Sequence, residues 1–377
     1  MKPLRIIGRL FGSFALTFLF FAVAIGQQDF LAATPEIGDD GFAFQPFETL
    51  DSPNQHTGFV SEVQYLEVKQ EVLDQIIAER HATLVVEIPN GRTVLQLDLN
   101  RVALFANNYQ LSTSSGETDP ENEQQAFYQG NVKGRPNSRC ALSFFPNEVR
   151  VLFADENGNH RVTRLDGGTR YAFYHEENWL RPLDGVCAVQ EEEGSGSSIP
   201  PPPVIPESEA SFFGDCLDVF FECDFKTYQD NGSSVSATEQ FVTGTFNEMQ
   251  ILFEQAGIPL NISEILVWNS PDPYTDTPNT LTGFFQFLSN FADVRQDNYN
   301  GRLAQLLTTR TIHPLYYGLA IFGDDVVCRT YSTDGTWANG PYSMGTRLEP
   351  NPAPFPNYSN NLHVMAHELA HNLGVEH

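Results

Sequence analysis

Residues 361–377 have the sequence NLHVMAHELAHNLGVEH, and this stretch decides how the rest of the chain is interpreted. Its apolar residues recur at helical spacing, which predicts a largely buried helix. His367 and His371 are four residues apart, so a helix places both imidazoles on one face, where they can bind one metal ion. Glu368 directly follows the first histidine and can reach a water molecule held by that ion.

The residues after this helix supply a third candidate ligand. Gly374 can take a positive φ without steric cost, so the chain can turn there and bring His377 back to the other two histidines. Three imidazole nitrogens with one open position are typical of catalytic Zn²⁺, because a structural site fills all four positions. Zinc lowers the pKa of its water to roughly 7, and Glu368 would take the proton as this water attacks a carbonyl.

Two other interpretations of this stretch stay open. H-E-x-x-H alone arises by chance on amphipathic helices. In a different zinc hydrolase with that pattern, Gly374 and His377 would be incidental and a downstream Glu would be the third ligand. The chain could also be a non-catalytic adhesion or binding protein that keeps the fold, although such a protein has no need of Glu368.

The full pattern H-E-x-x-H-x-x-G-x-x-H resembles that of the metzincin zinc proteases, and AHELAHNLGVEH is most similar to the reprolysin (adamalysin, ADAM-like) branch. The resemblance implies a zincin-like α/β (α+β) catalytic domain, in which a mixed twisted sheet carries an active-site helix. It also implies an endopeptidase made as a zymogen, with one catalytic Zn²⁺, a protein or peptide substrate and its own propeptide as inhibitor. It leaves calcium binding undetermined.

Two upstream segments carry the same resemblance. NGRLAQLLTTR (300–310) and YGLAIFGDDVVC (317–328) are similar to the family segments D-x-A-x-L-L-T and G-x-A…C. In the family, the second forms the sheet edge beside the cleft. The resemblance therefore implies that substrate adds as a strand along Gly318, Leu319, Ala320, Ile321 and Phe322. Without the family resemblance, these five residues predict only an ordinary apolar strand.

A further resemblance lies nearer the amino terminus. FYQGNVKG (127–134) and RCALS (139–143) are similar to the ADAM-type propeptide. Alternating apolar residues around an Asn90-Gly91 turn, and again from about residue 127 to 165, independently predict a β-rich region.

The composition predicts five segments. A basic start followed by an uncharged apolar run predicts a signal peptide and export to the extracellular space. We expect no stable membrane span once this peptide is removed. The alternative is that the apolar run stays attached as an uncleaved membrane anchor. An acidic, Gly/Ser- and Pro-rich stretch predicts an extended linker. The predicted segments are 1–26 (signal peptide), 27–54 (flexible lead-in), 55–188 (β-rich propeptide domain), 189–210 (linker) and 211–377 (metalloprotease domain).

The net charge and the positions of Lys and Arg limit the expected partners and the expected way of activation. The net charge of −27 excludes nucleic acid as an expected partner, because the two polyanions repel. No Lys or Arg lies between Arg181 and Lys226, so activation in the linker is expected from self-cleavage or from a protease that does not require basic residues.

The five cysteines include one candidate for control of the zinc site. Cys187 precedes the linker in a C-A-V sequence, which resembles the C-G-V-like setting of the reprolysin cysteine switch. Its thiolate would fill the open zinc position, since thiolates are good zinc ligands. Cys140 is the alternative switch, and a latency without any thiol ligand is a third possibility. The resemblance also implies that Cys328 pairs with a cysteine beyond the zinc motif.

Metzincins have a methionine turn after the third histidine, and all four Met residues here precede the end of the motif. We therefore expect this sequence to lack the lower subdomain and to bind zinc weakly on its own.

Overall fold

The computed structural model describes residues 42–51, 60–118, 124–165, 167–180, 186–187, 217–275, 277, 279–322, 326–350 and 358–375. They all belong to one compact unit, Asp39–His377. The predicted signal peptide, the predicted linker and His377 lie outside the described residues. None of the described helices is both long enough and apolar enough to span a bilayer.

The strands and helices, in chain order, are β1 (Phe42–Phe44), β2 (Phe47–Thr49), β3 (Gln64–Val68), α1 (Gln70–Glu79), β4 (Thr83–Asn90), β5 (Thr93–Arg101), β6 (Phe105–Thr113), β7 (Gly116–Thr118), β8 (Ala126–Val132), β9 (Arg139–Phe145), β10 (Glu148–Asp155), β11 (Gly158–Arg164), β12 (Arg170–His175), β13 (Val186–Cys187), β14 (Asp218–Cys223), α2 (Phe225–Asp230), α3 (Val235–Gln255), β15 (Asn261–Val267), α4 (Leu281–Arg295), β16 (Leu303–Leu307), β17 (Tyr316–Ala320), β18 (Ser332–Thr333), β19 (Ala338–Asn339), β20 (Tyr342–Gly345) and α5 (Tyr358–Asn372).

The first sheet has ten strands in the order β1-β4-β5-β8-β9-β10-β11-β12-β3-β2, and all but the β1–β4 pair are antiparallel. The predicted β4–β5 turn is confirmed, with Gly91 at a φ of 59°. Residues 42–49, expected in a flexible lead-in, instead form β1 and β2. Burial of Phe44 and Phe47 in the core of this sheet explains the difference.

The second sheet has eight strands in the order β13-β17-β20-β16-β14-β15-β6-β7. Its central strand β14 pairs in parallel with both β15 and β16, and buries Val219, Phe220 and Phe221. Both faces of this strand are covered, which is why its three apolar residues are consecutive and do not alternate with polar ones. Helices α3 and α5 share one core cluster with Phe221, while α4 shares another with Phe220 on the opposite face. This is the expected mixed α/β, zincin-like arrangement.

Apolar patterning predicts strands over 216–224, 262–268, 301–308 and 317–322, and helices over 235–256 and 280–291. The observed β14, β15, β16, β17, α3 and α4 agree to within a few residues, as does the motif helix α5, but β20 was not predicted. The polar residues Ser112–Gln125 predict a loop, and this prediction was wrong for β7 and for the last two residues of β6. The rest of β6 was not predicted. Strand β6 pairs in parallel with β15, about 150 residues further along the chain. The second sheet is thus built from both halves of the sequence, with β6–β7 at one end and β13 at the other.

Candidate metal centre

Helix α5 carries the motif residues and is fixed to the second sheet by its apolar face and two amides. Leu362, Met365 and Leu369 are buried in the core cluster beneath it. Gln305 Nε2 on β16 donates to the carbonyl of Met365, at 3.1 Å. Asn372 Nδ2, at the end of the helix, donates to the carbonyl of Ile321 at 2.8 Å. These contacts hold the helix in one rotation and translation relative to the sheet.

The two histidines of α5 converge. The Nε2 atoms of His367 and His371 are 3.0 Å apart, and the rings are perpendicular with centroids 4.6 Å apart. His371 Nδ1 lies 2.7 Å from the carbonyl oxygen of Val375, to which it can donate. That bond places the ring proton on Nδ1 and leaves Nε2 as an acceptor, the arrangement usual for a metal-binding histidine.

This pair fits zinc. Two nitrogens, each 2.0–2.1 Å from one tetrahedral ion, are about 3.3 Å apart, close to the observed separation. Within the described part of the chain, no group of three or more His, Cys, Asp or Glu side chains is arranged to hold a metal. The third predicted ligand, His377, is not among those residues.

Glu368 lies between the histidines in the sequence and is almost fully buried, at 1% exposure. Its carboxylate lies against the backbone of Gly318 on β17. A Cβ atom at Gly318 would be 2.1 Å from Glu368 Oε1 and 2.5 Å from Cδ, so no other residue fits there without moving the carboxylate. The sequence placed Gly318 at the cleft edge but did not predict this contact. A glycine within a strand pattern, which often marks a close approach, was the only available signal.

Strand β17 has neighbours on both sides. Gly318, Leu319 and Ala320 pair antiparallel with β20, and β13 pairs in parallel along the other side. The register sets Cys187 opposite Gly318, the residue that contacts Glu368. Ile321 and Phe322 follow the strand, and the Phe322 ring packs edge-on to His371 with centroids 6.1 Å apart. The five candidate cleft residues therefore lie beside the motif helix, at an edge that β13 covers.

Gly374 ends the motif helix at a φ of 84°. Its N–H donates to His371 O at 3.0 Å, and the Val375 N–H donates to Ala370 O at 3.1 Å. These two bonds are those of a Schellman motif, which requires a left-handed residue where Gly374 stands. The same turn directs the Val375 carbonyl towards His371, so the glycine also supports the orientation of the imidazole.

The cysteines fall into two groups. Cys140 and Cys223 are free thiols at 0% exposure, and burial raises the pKa of each above its usual value. Such thiols are poor nucleophiles and poor metal ligands. For Cys187 the structure gives the backbone position on β13. Cys216 and the side chain of Cys328 are outside the described residues.

Part of this chain is similar to known metallopeptidases. Residues 216–377 match the family Reprolysin_5, metallo-peptidase family M12. The human protein "Disintegrin and metalloproteinase domain-containing protein 19" is 22% identical over 319 residues, which are 80% of this chain and 31% of that protein. The chain thus spans about a third of this relative's length. Metalloproteinase-II from Bacteroides fragilis aligns with a TM-score of 0.44 and 12% identity, over 81% of this chain and 85% of that one.

Proposed function

Because residues 216–377 match the reprolysin family of M12 metallopeptidases, we propose that this chain is the zymogen of a secreted zinc endopeptidase. The observation that carries the proposal is the convergence of His367 and His371 Nε2 on the helix that also carries Glu368, whose side chain is buried. The proposed substrates are proteins or peptides.

In this proposal His367 and His371 bind Zn²⁺ through Nε2, and His377 is the third ligand. Bound zinc supplies a water molecule with a pKa of roughly 7 and polarises the substrate carbonyl. Hydrogen bonding of His371 Nδ1 to Val375 O keeps that ring oriented before the metal arrives. Second-shell contacts of this kind are worth roughly 10–100-fold in metal affinity.

Glu368 is the proposed general base. Its carboxylate takes the proton of the attacking water and then gives it to the amine nitrogen of the leaving peptide. The side chain is held for this task between its own helix and the Gly318 backbone, and its 1% exposure keeps competing solvent away. A carboxylate used only for binding would have no need of this close packing.

Latency is proposed to arise from β13. Substrate that adds to β17 needs the backbone groups that now face Val186–Cys187, so the cleft edge opens only when this segment leaves. The division of the chain into 1–26, 27–54, 55–188, 189–210 and 211–377 gives a simple route: cutting the linker removes the covalent connection between β13 and the protease, so that β13 is able to leave. The signal-like start of the sequence supports export.

Cys187 is the proposed thiolate that silences the zinc site. The proposal is supported by the position of Cys187 on β13, directly opposite Gly318 of β17. Gly318 is the residue against which the Glu368 carboxylate lies. Cys140, the alternative, is buried in the core of the first sheet, where its raised pKa disfavours a thiolate.

The experiment that tests the proposal is Glu368→Gln in the full-length protein. The variant should keep its zinc and lose peptide cleavage by about 10²–10⁴-fold after the linker is cut, because general base catalysis contributes that much. Metal content and cleavage rate are measured on the same sample. Glu254→Gln, at an exposed position on α3, is the matched control and should cleave like the parent. Cleavage by Glu368→Gln within a few-fold of this control would remove Glu368 from its role.

A further inference from the structure

Helix α3 buries two faces of opposite character. Its apolar side chains, Val242, Phe246, Met249 and Phe253, pack into the core beneath the second sheet. Four polar residues follow one another at helical spacing on another side, and each is at most 4% exposed: Glu239, Thr243, Asn247 and Gln250. Buried polar side chains require partners, and these partners come from the first half of the chain.

The amides make the clearest contacts. Gln129 Nε2 on β8 donates to Asn247 Oδ1 at 3.1 Å and to Gln250 Oε1 at 2.9 Å. Asn247 Nδ2 donates in turn to the carbonyl of Leu142, at 2.9 Å, and to Ser143 Oγ, at 3.0 Å. Tyr109 on β6 donates to Glu239 Oε1 at 2.9 Å. The hydrogen bonds found for the Gln129 side chain all go to α3.

A buried ion pair joins the same two surfaces. Arg161 Nη1 on β11 lies 2.8 Å from Glu248 Oε2 on α3, and both residues are 1% exposed. Gly244, one turn earlier on α3, makes room for a second guanidinium, because a Cβ there would lie 2.4 Å from Arg150 Nη1. Arg161 also pairs with Glu176 of its own region, so it keeps a partner if the two surfaces separate.

Strand β6 forms the second part of this contact. It pairs with β15 from Phe105 opposite Ile262 to Thr113 opposite Val267, with an irregularity in between. Leu104 and Leu111 are buried in the core cluster that contains α3. Asn108 and Asn300 exchange hydrogen bonds beside this pairing. Strand β6 lies at the far end of the sheet from β13 and the cleft.

This contact has an apolar part, in which Leu104, Leu111, Phe127, Phe145 and Leu152 share the core cluster of α3, and the buried polar part described above. The polar part is typical of an interface that opens. The interior of a single core would bury an apolar helix face, whereas contacts between separable partners are more polar. Once separated, the amides and carboxylates of α3 would be hydrated without penalty. The pairing of β6 with the edge strand β15 is of the same kind, because addition of a strand to a sheet edge is a common mode of binding between separate partners.

We propose that residues 42–180, the prodomain, stay bound to the protease domain through β6 and the polar face of α3 after the linker is cut. Cleavage and release are then separate steps, and activity appears at release. The proposal rests on the proposed function for its cleavage step, but the binding surface is remote from the zinc site. Its occupant is the prodomain of the same chain.

The test uses the full-length protein with the Glu368→Gln change, which prevents self-digestion, and with a recognition sequence for a site-specific protease placed within 194–198. After cutting, the two parts should elute together in size-exclusion chromatography at micromolar concentration and separate on dilution. Arg161→Met should weaken their association about 100-fold or more, because it leaves Glu248 buried and unpaired in the complex. Gln129→Leu should weaken it about 10-fold, because two amides of α3 lose a donor.

The matched control is Arg164→Met, on the same strand, whose guanidinium bonds the carbonyls of Gly167 and Gly168 in its own hairpin. It should leave the association unchanged. Separation of the parent parts immediately on cutting would overturn the proposal, as would equal losses in Arg161→Met and Arg164→Met. Because binding is read without catalysis, absence of protease activity would count against the proposed function alone. In the protein with Glu368 restored, activity should lag behind cleavage and rise on dilution, and Arg161→Met should abolish the lag.

Discussion

Residues 216–377 contribute strands β14 to β17 and β20 to the second sheet, and the two edges of this part are covered by the preceding region of the chain in very different ways. At the cleft edge, β17 meets the two residues of β13. At the far edge, β15 meets the nine-residue strand β6, with Leu104 and Leu111 buried and further hydrogen bonds at Asn300 and Asn269. In our proposal the two edges have different tasks: the short pairing covers the site, and the long pairing supplies most of the binding energy between the two regions. The predictions below alter one edge at a time.

The largest effect is expected from Gly318→Ala at the cleft edge. A methyl group there would overlap Glu368 Oε1, so the carboxylate must move away from the metal centre. Peptide cleavage by the activated protein should fall about 100-fold or more, within the range attributed to a general base. Gly345→Ala is the control. It pairs with Gly318, but its new Cβ would lie 3.2 Å from Val364 Cγ1, which needs only a small shift. Equal activities in the two variants would show that the Gly318 contact does not position the base.

Leu111→Ala should weaken the far edge without touching the cleft. Deleting a buried leucine side chain costs about 2–4 kcal/mol, so the free energy of unfolding of the uncut protein should fall by that amount in urea titration. Leu97→Ala removes a buried leucine from the first sheet and should cost a similar amount. Only Leu111→Ala should also speed loss of the prodomain after cutting. If Leu97→Ala does so equally, the far edge has no special part in retention.

The smallest effect is expected from Cys187→Ser. Removing the thiol should raise basal cleavage by the uncut zymogen several-fold and no further, since the backbone of β13 still covers β17. Cys140→Ser should leave basal cleavage unchanged because that thiol is buried in the first sheet. A thiol-capping mercurial should activate the parent to the same extent as the Cys187 variant. If neither treatment raises activity, latency comes from coverage of the cleft alone.

Local patterns predicted those elements well whose physical cause is local. Apolar spacing marked α3 and α5, the Asn90-Gly91 turn marked the first hairpin, and the spacing of His367, Glu368 and His371 brought them together on one helix. For these features the physical cause lies within a few neighbouring residues, so the sequence displays it directly.

The contacts between the two regions could not be predicted in this way. Arg161 alternates with His160 and Val162 as a solvent-facing residue would, yet α3 covers it and supplies Glu248 from 87 residues away. The position of Gly318 against Glu368 likewise depends on how a helix docks on a sheet. Apolar and polar residues do not alternate clearly along β6. Its neighbours β15 and α3 come from the distant half of the chain, so the residues around β6 gave no sign of this pairing.

The polar composition of β6 has a consequence for synthesis. Translation proceeds at roughly 5–20 residues per second, so β15 is made about 8–30 s after β6. During that interval β6 has its main-chain groups in water and no sheet to join, the condition in which apolar strands aggregate. Asn107, Asn108 and Gln110 are exposed even in the finished fold, and they make β6 a poor template for self-association. Its composition suits a nascent strand that must remain unpaired on the ribosome until its acceptor emerges.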